Sequence, residues 1–475
     1  MPRRILALAA IASSLAAAAP AFADDCAEGR LQAEELFAAA GKATDREAAW
    51  DRYAQAGEAY WALWQKHGEA PLRAHTAPTC AKLEEVLYNA SKAFQAARDI
   101  TRANAIGLVL VDPKNGFAAT LLARKMVHDM GARYHALAEY AEAVRWYERY
   151  ARENPKEEKA KDVLLDAVVL RLGLGDERAA LANAELYDKT YGAAQRERSA
   201  QIAFALAAHE VDRERWAAAE KRFATAETRI DRDGSLALRL QMHAQRGRVL
   251  QKLGKAREAA AQHRLVLDLL HRPQTMRQMV MAGDDRMLGK ALMAAGESLV
   301  YFAEEAAQKA RAVRLPAYRG KRDREAMARW VDDVFARALG ERRAAIGAAE
   351  KIHAQVSDLQ PVPPPRWVVV ASVSATGLWA ELADEIGALA VMDGKKPDPM
   401  LAAALAPARD AARVRLLAAA RTCVSLGGKF AWQAADSSYC AEVLTREFPA
   451  AHPRLDEILP RPRWMASGLS ARFEP

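Results

Sequence analysis

The sequence predicts an all-α chain of stacked helical hairpins, a helical solenoid, and three observations lead there. Alanine recurs at nearly even intervals, at Ala103, Ala143, Ala180, Ala219 and Ala259, in steps of 40, 37, 39 and 40 residues. Around each alanine, large apolar residues fall at helical spacing within helix-forming sequence. Proline closes two of the units, in Asp112-Pro113 and at Pro155, because it lacks an N–H and its ring clashes with the preceding turn. A recurrence of this length marks an architecture in which each unit buries its apolar face against its neighbours.

The elements follow in order. Residues 1–23 have the make-up of a secretory signal peptide: Arg3 and Arg4, an apolar run from Ile5 to Ala19, and a small-x-small site at Ala21-Phe22-Ala23. A membrane helix needs about 20 apolar residues, and this run is shorter. Cleavage after Ala23 implies export, with the mature chain in the periplasm, in association with the outer membrane or free of it. An N-terminal helical segment spans 24–80. There Trp50, Tyr53, Gly57, Tyr60 and Trp64 share one helix face, an arrangement that serves either a core or a stacking surface for a ligand. Hairpin repeats occupy 81–273, and an irregular helical extension covers 274–360. A C-terminal helical region follows over 361–475, after the proline-rich Gln360–Arg366 stretch, which marks a boundary or a sharp turn. Four cysteines in an exported chain favour disulfides. Neighbouring pairs, Cys26 with Cys80 and Cys423 with Cys440, would each close a local helical segment.

The clearest unit runs from Arg124 to Lys156. Gly131 and Ala143 are small where two helices would cross, Tyr134 and Tyr147 fill the flanking wedge, and Pro155 ends the second helix. These offsets resemble the tetratricopeptide repeat, a helix-turn-helix of about 34 residues. The units from Ala200 (Ala207, Trp216, Ala219, Phe223) and Leu240 (Gly247, Leu250, Gly254, Ala259, with His263 at an aromatic position) follow the same pattern. A unit with Leu87, Phe94, Ala103 and Leu110 matches in part. In 161–191 the first helix is expected out of register. A period near 39 requires longer helices or linkers than the family's. The resemblance implies protein partners on a concave face lined by the first helices: Lys125, His128 and His135; Gln201 and Phe204; Gln241, Arg248, Gln251 and Lys252. That surface is polar and mildly basic, suited to an extended acidic or amide-rich peptide.

More loosely, the mature chain resembles exported tetratricopeptide proteins of gliding and predatory bacteria, through Pro316-Ala317-Tyr318-Arg319-Gly320, Pro365-Arg366-Trp367-Val368, and Cys423 and Trp432 before Tyr439-Cys440. Some members of that group belong to cell-envelope motility machinery, which implies a scaffold role.

The formal charge is +8, and +6 once the two leader arginines are removed. A basic exported chain points to anionic partners and away from nucleic acid. No phosphate loop, dinucleotide glycine pattern, Gly-x-Ser-x-Gly or His-Glu-x-x-His is present. His128 and His135 are seven apart, not the i, i+4 of a helical metal pair. Catalytic, metal and cofactor residues are therefore expected to be absent. Glu297-Ser298 resembles the catalytic pair of lytic transglycosylases, but the Gly-Leu-Met-Gln segment of that family is missing. The expectation is a non-catalytic periplasmic scaffold. The alternatives are a peptidoglycan- or glycan-binding module built on the aromatic N-terminal helix, or a glycan-cleaving enzyme.

Overall fold

The computed structural model describes residues 20–453 apart from 273, 282, 392–395 and 433–434. Most of the expected leader and all of the tail after Pro460 lie outside the described residues. The chain forms two compact units, Met1–Ile202 and Ala203–Pro475. Among the described residues it is all-α; a lone bridge between Val391 and Pro397 is the one extended pairing.

The first unit begins with α1 (Pro20–Gly41), α2 (Arg46–Trp64) and the short α3 (Ala70–Arg73). Three hairpins follow: α4 (Leu83–Ala96) with α5 (Ile100–Val111), α6 (Leu121–Ala136) with α7 (Tyr140–Glu153), and α8 (Ala160–Gly173) with α9 (Glu177–Tyr191). Helix α10 (Arg196–Asp212) contains the division between the units and pairs with α11 (Trp216–Asp233). Then come α12 (Leu236–Lys252) with α13 (Ala256–Leu270), α14 (Thr275–Met281), the 28-residue α15 (Asp285–Ala312), α16 (Arg324–Trp330) and α17 (Ala336–Ser357). Helices α18 (Pro365–Leu389), α19 (Pro399–Lys429) and α20 (Ala435–Glu447) complete the described chain.

Five hairpins among the described residues share one internal geometry. Each turn places one residue in the left-handed region: Arg98 (φ 69°), Ala138 (60°), Gly175 (78°), Glu214 (55°) and Gly254 (74°). The next residue's N–H donates to the carbonyl five residues back, from Asp99 to Phe94, Glu139 to Tyr134, Asp176 to Arg171, Arg215 to Glu210 and Lys255 to Leu250, each at 2.9 Å. This is the Schellman closure, which satisfies carbonyls that the helix end would leave unpaired. Counting back seven residues from each left-handed position reaches Ser91, Gly131, Val168, Ala207 and Gly247, all buried. Counting forward five reaches the recurrent alanines, each fully buried.

The small residues allow the crossing. A Cβ on Gly131 would lie 2.5 Å from the Tyr147 ring, and one on Gly247 would lie 2.6 Å from the His263 ring. Ser91 instead donates its hydroxyl to the Ala103 carbonyl at 2.7 Å. The unit over 161–191 corrects the expectation: α8 is in register, with Gly175 at the turn. Its departure is an exchange of sizes, Val168 on the first helix and Ala184 on the second. The varying interval between alanines arises between hairpins, in the 3-10 turn Pro113–Asn115 and in the longer α11.

In the N-terminal segment the aromatic face packs inward. Trp64 meets Phe117 edge-on at 5.8 Å, Tyr53 meets Phe37 at 4.9 Å, and a Cβ on Gly57 would strike Phe94. Trp50, half-buried, lies between the Arg46 and Arg98 guanidiniums at 5.6 and 5.5 Å. In the second unit, α15, α17, α18, α19 and α20 share a core around Leu339, Ile346, Leu378, Leu382, Leu401 and Leu416. The proline-rich stretch is a turn inside that unit: Gln360–Pro361 is cis, and α18 starts at Pro365, where its missing N–H leaves no helical bond unmade. Both expected cysteine pairs are bonded, with Cα atoms 6.0 Å apart for Cys26–Cys80 and 6.2 Å for Cys423–Cys440. Among the described residues no helix is long and apolar enough to cross a membrane.

Candidate binding groove

Helices α12 and α15 pack so that one face of each borders a groove of about 390 Å³. From α12 come Gln241, Gln245 and Arg248, at i, i+4 and i+7; from α15 come Arg286, Lys290 and Glu297, at i, i+4 and i+11. These spacings keep each set on one side of its helix. Arg366 and Trp367, at the start of α18, close one end. Their approach depends on Gly296: a Cβ there would lie 2.7 Å from the Pro364 ring and 2.9 Å from Trp367.

The charges in the groove divide into a fixed pair and a free set. Arg248 clasps Glu297 as a fork, Nε to Oε1 and Nη2 to Oε2, both at 2.5 Å. The hydrogen bond to Glu297 raises the Arg248 pKa against the effect of burial. Arg286 and Lys290 are exposed and have no ion-pair partner among the described residues. The Arg366 guanidinium lies 5.0 Å from the Trp367 ring centre. With Arg248 neutralised, the groove still carries three cations. Two of the residues lining it each carry a buried polar atom without a hydrogen-bond partner, Gln245 Oε1 and Trp367 Nε1.

The residues expected to hold a partner are distributed unevenly. Gln241 and Arg248 line this groove, although Arg248 faces Glu297 and the Gln241 amide donates to the Ala237 carbonyl at 3.1 Å. Gln251 and Lys252 are exposed at the end of α12, and the Lys252 ammonium sits 5.9 Å from the Trp216 ring centre. Phe204 is half-buried against the buried Phe223, 6.2 Å between ring centres. In the first unit Lys125 is exposed and Gln201 half-buried. His128 packs edge-on to Tyr150 with Nδ1 3.3 Å from Asp129. His135 has Nδ1 3.2 Å from the Tyr147 hydroxyl. The two histidines thus have separate partners, and no cluster of three or more metal-ligating side chains occurs among the described residues.

Sequence reasoning misses Arg286 and Lys290 because they follow the last recognisable repeat. Their signal is two cations at i, i+4 on the helix after it. Glu297 stands out in the sequence as a candidate acid, and the groove gives it a different place. Both its oxygens are held by Arg248, whereas a glycosidase acid must offer a proton to the scissile oxygen.

No protein-family model matches the chain. No curated protein matches it. Among solved structures, the crystal structure of Rap protein complexed with competence and sporulation factor covers 86% of this chain and 99% of its own, with 11% sequence identity and a TM-score of 0.28. The fold assignment rests on the hairpin geometry and not on that superposition.

Proposed function

We propose that the chain is a non-catalytic, exported scaffold that holds acidic segments of protein partners in the groove between α12 and α15. The observation that carries this reading is the unpaired Arg286–Lys290 pair, with Arg366, in a groove open enough for an extended chain. Fixed cations attract carboxylates and set the register of a bound segment. The leader-like N-terminus and the two cysteine pairs support a periplasmic setting. In that compartment the scaffold serves a cell-envelope assembly, of the kind gliding-motility machinery provides. A glycan-binding role through the aromatic helix gains less support, because its rings are engaged with other side chains of the unit.

Photocrosslinkers at Gln241 and Lys290 in intact source cells test this. Recurrent capture of one envelope protein, lost on Arg286→Glu, supports the scaffold. Capture of cell-wall fragments instead, or of nothing specific, contradicts it.

A further inference from the structure

A second hollow lies in the same unit, between α17, α18 and α19. Its volume is about 400 Å³, and the apolar part of its wall is mostly alanine, with Ala371 and Ala375 from α18 and Ala418 and Ala419 from α19. Small side chains on facing helices leave space that no neighbouring side chain fills.

The polar groups in the wall are mostly oxygens and an imidazole, beside the guanidinium of Arg415 and the hydroxyl of Ser357. His353 is 5% exposed, and neither ring nitrogen has a hydrogen-bond partner. Burial lowers its pKa, although Glu304 and Glu350 oppose this, and the neutral form that burial favours carries one lone pair and one N–H. The Ser372 hydroxyl donates to the Val369 carbonyl at 2.7 Å, and the Thr422 hydroxyl donates to the Ala418 carbonyl at 3.0 Å. With their protons directed at their own helices, both oxygens present only lone pairs to the hollow. Asp358 adds an exposed carboxylate at the end of α17. Glu350 adds another, which accepts from Trp379 Nε1 at 2.8 Å and from Arg415 at 3.1 Å. Arg415 is the one cation in the wall, and it is committed to Glu350 and to the Trp379 ring, 5.1 Å away. Two carboxylates against one guanidinium leave the hollow net negative, and the Asp358 carboxylate and the His353 lone pair have no donor among the described residues.

We infer that this hollow is a binding site for a small alkylammonium compound, held by Glu350, Asp358, His353 and the Ser372 and Thr422 oxygens. An ammonium group supplies the donor that the Asp358 carboxylate and the His353 lone pair lack, its charge adds to the attraction of Glu350, and the alanines of the wall accommodate its methylenes. Charge-assisted bonds of N–H to carboxylate are the stronger ones. The site is independent of the acidic-peptide groove, whose positive charge disfavours the same ligand.

Isothermal titration of the full mature chain tests the assignment, with 1,4-diaminobutane as the probe and inorganic phosphate as the control. Saturable one-to-one binding of the diamine, with none of phosphate, is expected. Asp358→Asn should weaken it by roughly tenfold, the loss of about one charge-assisted hydrogen bond. Ala354→Phe, at an exposed rim position, should abolish it with the helical spectrum unchanged. His353→Phe should also abolish it; if that variant fails to fold, the two rim variants decide. Absence of diamine binding, binding of phosphate in its place, or diamine binding that survives both rim variants would overturn the site.

Discussion

Ala138 holds the left-handed turn of the best hairpin without being glycine. That conformation costs an L-residue about 1–2 kcal/mol, and the equivalent turns at Gly175 and Gly254 avoid the cost. Ala138→Gly is expected to raise stability by about 1 kcal/mol, since the position lies outside the helix and loses no helix propensity. Urea unfolding measures this; an unchanged or lower midpoint would refute it. His263 makes a second case. Burial, aided by Arg248, lowers its pKa from 6.5 to about 4. Its Nδ1 meets the Ser298 hydroxyl at 3.0 Å, its Nε2 has no partner, and its ring stacks on Tyr301 at 4.4 Å. A folded pKa below the unfolded one means that the unfolded chain takes the proton more readily. The associated stability is complete above about pH 6.5 and falls as pH drops toward 4, by up to about 3 kcal/mol. His263→Phe places at this site the kind of residue that Tyr147 and Phe223 supply elsewhere. Its stability relative to the parent should rise as melts move from neutral pH toward pH 4, and a constant difference would refute the argument. The aromatic role of this position is legible in the sequence, whereas its neutrality depends on three-dimensional burial.

At the scale of the hairpin, what matters is where small residues stand. Gly131 is needed because Tyr147 occupies the space of a side chain. Gly131→Val should therefore destabilise by about 2–3 kcal/mol through overpacking. A Cβ added at Gly340, in α17, would meet no atom within 4 Å, so Gly340→Ala should stabilise by about 1 kcal/mol through helix propensity alone. Thermal unfolding distinguishes these opposite signs, and equal effects would contradict the packing account. The alanine recurrence is readable because crossing positions restrict size, which leaves a trace in composition. The unit over 161–191 hides its register because the larger residue, Val168, stands on the first helix and the smaller, Ala184, on the second, so the expected letters are missing. The Schellman turns are only half visible, at Gly175 and Gly254; Arg98, Ala138 and Glu214 carry no sequence mark of a left-handed backbone.

For the whole chain, the helical class, the cysteine pairs and the hairpin spacing can be read from the sequence, because each depends on local pattern. The groove cannot be assembled that way. It joins Gln241 and Arg248 to Arg286 and Lys290 and then to Arg366 and Trp367, residues that tertiary packing alone brings together. The sequence turns Arg248 toward a partner, and only the fold shows that Glu297 takes its charge. The central claim is that the remaining free cations select an acidic segment. Fluorescence anisotropy with a labelled glutamate-rich peptide, against a lysine-rich peptide of equal length, tests it most directly. The account predicts binding of the acidic peptide alone, weakened by added salt as screening requires, and lost in the Arg286→Glu/Lys290→Glu variant while its helical spectrum is kept. Equal binding of the two peptides, or acidic-peptide binding that survives the double reversal, would contradict it.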